Sequence, residues 1–214
     1  MNTTLIIVRH GESEANGNKM FAGHLDIPLS ARGFQQAELT AGYIKEHYRV
    51  DAVYASDLQR AYHTALPIAK AFDLEVTKSE QLREVYAGHW QGQSFDVLES
   101  KYAQSYWTWR NDIGIAHPDG GESVAALSER IWSAVQEITK KGQGKTVVIA
   151  THATPIRALL CRVEGRELAD MKDVGWVSNA SVSIVRVDGD RWNLEQKSFD
   201  AHLADLKTRF PANV

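Results

Sequence analysis

The chain has 214 residues, 24 Lys and Arg against 27 Asp and Glu, a formal net charge of −3 and a single cysteine. That length reads as one domain over residues 1–214, with enough hydrophobic residues (43%) to fill a core. The slightly acidic balance argues against nucleic acid as a partner, since a binder would carry a basic excess. Cys161 stands alone, so neither an intrachain disulfide nor a paired-cysteine zinc site can form. Met1-Asn2-Thr3-Thr4 lacks the basic start of a signal peptide. The apolar run Leu5-Ile6-Ile7-Val8 is too short for a signal core or a membrane span. A cytoplasmic protein without a membrane partner is expected.

Short β-branched runs alternate with longer amphipathic stretches. Thr4–Val8 is the first predicted strand. Pro28-Leu29-Ser30 supplies a stop, an apolar staple and a Ser N-cap to a helix over Ala31–Tyr48, on which Leu39, Tyr43 and Ile44 share a face. A strand at Ala52–Ala55, a helix at Leu58–Phe72 and a strand at Glu75–Thr77 follow. A helix near Phe95–Tyr102 runs into the aromatic stretch Tyr106-Trp107-Thr108-Trp109-Arg110, and Ile113–Gly121 reads as loop. The helix Ser123–Lys140 precedes Thr146–Ala150, a strand apolar on both faces, and then a helix at Thr154–Glu164. Ser181–Val187 and Trp192–Gln196 flank Asp188-Gly189-Asp190 as an antiparallel hairpin. The tail from Phe199 to Val214 carries no clear pattern. The pattern predicts an α/β three-layer sandwich with a mostly parallel central sheet, helices on both faces and an antiparallel edge near the C-terminus.

Three polar clusters each follow an apolar strand: Arg9-His10-Gly11-Glu12, Ser56-Asp57-Leu58-Gln59-Arg60 and Thr151-His152-Ala153-Thr154-Pro155. Ligands of open parallel sheets bind beyond the carboxyl ends of the strands, where helix N-termini offer free N–H groups and partial positive charge. Arg9 and Arg60 suit phosphate, because a guanidinium fork donates parallel hydrogen bonds to its oxygens. A histidine beside them can attack through a neutral ring nitrogen. Gly11 is expected to let a bound anion approach the backbone. A lone strand-end histidine is ordinarily a surface or core residue, and Arg60 alone would be a solvated charge. Their shared topological position is what points to one anion site.

Arg9-His10-Gly11-Glu12 with Asn16 resembles the signature of the histidine phosphatase superfamily, the phosphoglycerate mutase-like fold. Four further groups continue the resemblance in order. They are Asp26-Ile27-Pro28-Leu29-Ser30 with Gly33, Arg60-Ala61 with Thr64-Ala65, Leu82-Arg83-Glu84 with Gly88 and Trp90, and Pro118-Asp119-Gly120-Gly121-Glu122-Ser123 with Thr151-His152. The resemblance implies that His10 is the nucleophile, forming a phosphohistidine. It implies that Arg9, Arg60 and His152 hold the phosphoryl group, with Asn16 beside them. Glu84 is implied as proton donor to the leaving oxygen, although Arg83-Glu84 also reads as a surface charge pair. An acid in that role predicts an activity optimum on the acidic side of neutral. No metal and no cofactor are implied, with the two arginines and the histidines giving the positive field. Where the family usually has glycine after its second histidine, this chain has Ala153, which could crowd a phosphate.

The mutase branch typically carries paired arginines in a longer insertion. Here Tyr102–Asp112 is short and aromatic, with Arg110 its single strong cation. Hydrolysis of a small phosphorylated substrate is therefore the expected reaction. Sugar phosphates, phosphoglycerates, nucleotides and α-ribazole phosphate stay open as substrates. The aromatic stretch reads either as helix packing or as a lid over the substrate. Gly23, His24, Tyr86, Glu122 and Ala153 are candidate pocket residues, and Ser123 is either a pocket residue or an N-cap. The sequence does not choose between a monomer and a homodimer.

Overall fold

The computed structural model describes residues 2–208 of the chain. Six strands, β1 (Thr3–Arg9), β2 (Ala52–Ser56), β3 (Val76–Ser79), β4 (Thr146–Thr151), β5 (Val182–Asp188) and β6 (Arg191–Phe199), form one sheet. Their order is β3-β2-β4-β1-β5-β6. The first four strands run parallel, while β5 is antiparallel to β1 and β6 to β5. Around the sheet lie α1 (Glu14–Gly17), α2 (Ala31–His47), α3 (Gln59–Lys70), α4 (Phe95–Lys101), α5 (Ala103–Asn111), α6 (Val124–Lys141) and α7 (Ala153–Val163).

The alternation of side chains along the strands divides the core into two layers. Leu5 and Ile7 of β1 and Val147 and Ile149 of β4 pack with Leu127, Ile131 and Val135 of α6 and Ile156 and Leu160 of α7. Ile6, Val8, Val148 and Ala150 face the other way, onto Ala41 and Ile44 of α2 and Ala65 and Ile68 of α3. Strands buried on both faces need continuous apolar sequence, and these have it. The three-layer architecture read from the sequence is the one observed. Among the described residues no helix is long and apolar enough to cross a membrane.

Local signals act as expected at several ends. Ser30 caps α2 by accepting from the Gly33 N–H at 3.1 Å, and Ser123 caps α6 by accepting from Ala126 at 3.1 Å. The hairpin turns at Gly189, whose φ of +60° suits glycine. Other readings need correction. The buried face of α2 is Gly33, Gln36, Ala37, Thr40, Ala41 and Ile44, and Leu39 points to solvent. Small residues at those positions let the helix approach the sheet closely, so packing rather than hydrophobicity selects the face. The predicted helix at Phe95–Tyr102 and the aromatic stretch become two helices broken at Tyr102, whose φ of −122° is not helical. In the tail a 3₁₀ turn at Ala201–Leu206 lies against α2, where Gln36 Nε2 donates to the Leu206 carbonyl at 2.7 Å. Residues 209–214 of that tail lie outside the described residues.

Candidate active site

Parallel pairing brings the carboxyl ends of β1 to β4 to one edge of the sheet. Because β5 runs the other way, with Val182 opposite Val8, the loop that enters β5 arrives at the same edge. Arg9 and His10 follow β1, Arg60 sits in the first turn of α3, Glu84 follows β3 through a short 3₁₀ turn, and His152 is the N-cap of α7. Arg9, His10, Arg60 and Glu84 line a cavity of about 760 Å³, while His152 is not among its lining residues and lies buried against His10.

At its inner end the ring of His10 is 4% exposed and held by one bond, from Nδ1–H to the Gly11 carbonyl at 2.7 Å. A carbonyl only accepts, so the proton is on Nδ1 and Nε2 keeps its lone pair. Burial, reinforced by Arg60 and then Arg9, pushes the His10 pKa well below the usual imidazole value. The His152 ring lies edge-on to it with centroids 5.1 Å apart. His152 is fully buried, and neither of its ring nitrogens has a hydrogen-bond partner among the described residues. Burial, Arg60 and His10 hold its pKa well down as well. Both rings are therefore neutral near neutral pH. Arg9 and Arg60 supply the fixed positive charge beside the two rings.

Arg60 donates from Nη1 to the Leu25 carbonyl at 2.9 Å and from Nη2 to the Gly23 carbonyl at 2.7 Å. Arg9 donates to the Val177 carbonyl and stacks over Trp176, its guanidinium 4.9 Å from the ring centroid. Burial lowers the pKa of Arg9 to about 9 and of Arg60 to about 10, leaving both charged in neutral solution. Asn16 lines the cavity, and its Oδ1 accepts from the Ser13 N–H at 3.0 Å and from Asn179 at 3.2 Å. That leaves the Asn16 NH₂ as the end of the side chain able to donate to a ligand.

Gly11 has a different reason from the one its position suggests. A Cβ there would come within 2.5 Å of the Gly33 carbonyl, and one on Gly33 within 2.0 Å of the Glu12 carbonyl. The two glycines let the loop after β1 lie directly on the first turn of α2. Glu12 then ties that contact from the other side by accepting from Ser30 Oγ at 2.8 Å.

Glu84 lines the cavity, while its neighbour Arg83 turns away to a forked bond with Asp57. The two are not a surface pair. Glu84 Oε1 accepts from the Val85 N–H at 2.9 Å and Oε2 from the Thr154 N–H, in the first turn of α7, at 3.4 Å. Ala153 also lines the cavity and does not adopt a positive φ, so a Cβ is tolerated by the backbone where glycine is usual.

Of the remaining candidates, Gly23 is in the cavity wall, whereas His24, Tyr86 and Glu122 are not among its lining residues. His24 donates from Nε2 to the Glu84 carbonyl at 2.7 Å and packs edge-on against Tyr86. Glu122 accepts from Arg130 at 2.8 Å, and Arg130 also donates to the carbonyls of Gln81, Arg83 and Glu84. These residues clamp the backbone that carries Glu84 instead of lining the cavity.

Sequence reasoning missed Asn179, Trp176, Arg157 and Lys172. Asn179 is 1% exposed and donates to the carbonyls of His10 and Gly11 at 3.0 and 3.2 Å, fixing the loop that carries the nitrogen. The signal was the polar stretch before an antiparallel strand, which necessarily enters at the ligand edge. Arg157 and Lys172 add cations to the wall beyond the Arg110 counted from the insertion. Arg110 and Lys172 each have an acidic partner, Glu99 at 3.3 Å and Asp112 at 2.9 Å. The aromatic stretch shows the helix packing expected of it, and some of its rings are also in the cavity wall. Tyr106 and Trp109 pack edge-on against Trp90, and with Trp107 they also line the mouth of the cavity. Among the described residues no group of three or more His, Cys, Asp or Glu side chains is placed to hold a metal ion.

Buried arginines, two neutral histidines and a carboxyl around one cavity define a protein that handles a phosphoryl group. Residues 5–200 match the model of the histidine phosphatase superfamily (branch 1); the chain belongs to that family and is a phosphatase by class. It is similar to phosphoserine phosphatase 1 of Hydrogenobacter thermophilus, 34% identical over 202 residues that cover 94% of this chain and 95% of the relative. The metal-independent phosphoserine phosphatase of Arabidopsis thaliana is 33% identical over 208 residues, 95% of this chain and 84% of the relative. Among solved structures, YhfR of Bacillus stearothermophilus matches with a TM-score of 0.89 at 27% identity, covering 94% of this chain and 99% of that one.

Proposed function

We propose that the chain hydrolyses small phosphomonoesters through a phosphohistidine formed on His10 Nε2. The observation that carries this reading is the 2.7 Å bond from His10 Nδ1–H to the Gly11 carbonyl, which reserves the lone pair of Nε2 for attack. The substrate phosphoryl group lies between Arg9 and Arg60. It accepts further bonds from His152, whose buried ring has no protein partner among the described residues, from the Asn16 NH₂ and from the N-terminus of α7.

In the first step Nε2 bonds to phosphorus as the ester P–O bond breaks. The leaving oxygen takes its proton from Glu84 and departs as the free alcohol. In the second step Glu84, now a carboxylate, takes a proton from water as that water attacks phosphorus. The P–N bond breaks and inorganic phosphate leaves. The fixed guanidinium groups offset the charge that spreads over the equatorial oxygens at both stages, without rearranging between them. No role is assigned to a metal ion.

The names of two relatives favour an alkyl phosphate such as phosphoserine as substrate. The pairing of Arg110 with Glu99 and of Lys172 with Asp112 leaves the single guanidinium of Arg157 as the wall cation outside the phosphoryl cluster without an acidic partner among the described residues, which favours hydrolysis over phosphoryl return to a bisphosphate. Hydrolysis of para-nitrophenyl phosphate with and without a chelator tests the mechanism. Equal rates are expected, and loss of activity on chelation would defeat it.

A further inference from the structure

We infer that Arg157 forms a second anion subsite, one that binds a carboxylate carried by the substrate, so that the preferred substrates are small phosphorylated acids. The inference rests on the phosphatase reading above and adds to it the group recognised at the far end of the substrate.

Ala153, Thr154 and Arg157 fall on one face of α7 at spacings of three and four residues, and all of them line the cavity. Ala153 follows His152 directly. Arg157 is therefore four residues beyond Ala153, ~6 Å of axial rise along α7. A three-carbon acid phosphorylated at its far carbon spans a gap of that order. Burial lowers the Arg157 pKa, and Glu84 is the largest influence opposing that shift. Its guanidinium thus shares a field with the catalytic acid, yet it forms no ion pair among the described residues. Nη2 donates to the Met171 carbonyl at 3.1 Å, and Nε is buried without a partner among the described residues. Arg110 and Lys172, the other cations outside the phosphoryl cluster, already have carboxylates. A guanidinium with spare donors, held in the wall beside the acid, is matched by a carboxylate that accepts two of its N–H groups. Tyr106 and Trp109 belong to the same cavity wall and add apolar surface to it.

The test compares substrates that differ in the carboxylate alone. O-phosphoserine is set against O-phosphoethanolamine, and 3-phosphoglycerate against glycerol 3-phosphate, which repeats the comparison without an amine. In the native protein kcat/KM is expected to favour the acid of each pair. Arg157→Gln is expected to reduce that preference by about 10- to 100-fold, the scale of one charged hydrogen-bonded contact, and Arg157→Lys to restore part of it. If the native protein shows no preference, or if Arg157→Gln lowers both members of each pair equally, the subsite is overturned. An equal loss accompanied by a shifted pH profile would mean that Arg157 acts through Glu84 instead. A native protein inactive on para-nitrophenyl phosphate would sink the phosphatase reading itself, an outcome distinct from lost discrimination.

Discussion

At the inner end of the cavity His10, Arg9, Arg60 and His152 are almost inaccessible, and backbone carbonyls orient His10 and both arginines. At the mouth, Trp107 is 58% exposed and the cations Arg110 and Lys172 are held by surface carboxylates. The inner end grows out of the ends of central strands, which neighbouring strands fix in place. The mouth rests on two short helices broken at Tyr102 and on a 3₁₀ segment at Leu168–Val174. Chemistry that must be preorganised is placed on the rigid part, while the mouth is built of pieces whose replacement costs the fold little.

The largest expected effect falls at the inner end. Glu84→Gln is expected to lower turnover of an alkyl phosphate by ~10²–10⁴-fold and that of para-nitrophenyl phosphate much less, because an activated leaving group needs no proton. Steady-state kinetics on the two substrates decide it, and equal losses would remove Glu84 from the acid role. Next comes the contact that seats the loop after β1. Gly33→Ala places a methyl 2.0 Å from the Glu12 carbonyl and is expected to cost about 3 kcal/mol or more, read as a lower midpoint in denaturant. Unchanged stability would mean that the loop and α2 are not in register as described.

Burial and then the arginines Arg60 and Arg9 lower the His10 pKa, so the neutral nucleophile persists as pH falls through the ordinary imidazole range. Its charged form, and the loss of attack that goes with it, arrive only at more acid pH. An NMR titration of the free protein is expected to show the His10 ring, assigned by its absence in His10→Gln, without a step near pH ~6.5. A normal titration would place the ring in contact with water. The smallest effects are at the mouth. Trp109→Ala, which removes ring contacts to Phe21 and Trp90, is expected to cost about 2 kcal/mol, and Trp107→Ala no more than about 0.5 kcal/mol, by thermal unfolding. If the two cost the same, the exposed ring is packed more firmly than its surroundings indicate.

The same contrast governs what could be read without coordinates. Strand ends carry a strong signal, since an apolar run followed by Arg-His or Thr-His states both the element and its edge. His10, Arg9, Arg60 and His152 were legible for that reason, and Glu84 through the family pattern. His24, Tyr86 and Glu122 were candidates too but are not among the residues lining the cavity, because a sequence pattern records a segment and not which of its side chains turn inward. Asn179 escaped notice because its role is to hold two carbonyls more than a hundred positions away, and the polar stretch around it marks the edge of the sheet but not that partner. Leu39 misled for the opposite reason: a large apolar residue was taken for the inner face of α2, where small ones do the packing. Gly11 was read as a close approach for a bound anion, and the approach the fold displays is that of the Gly33 carbonyl.

The central claim is that the phosphoryl group passes through His10, and rapid acid-free quenching during turnover of para-nitrophenyl phosphate tests it most directly. Intact mass analysis is expected to find a protein species heavier by one phosphoryl group, stable to base, labile to acid, mapped to the peptide containing His10 and missing from His10→Ala. Turnover without any such species, or the same label on the His10→Ala protein, would contradict the account.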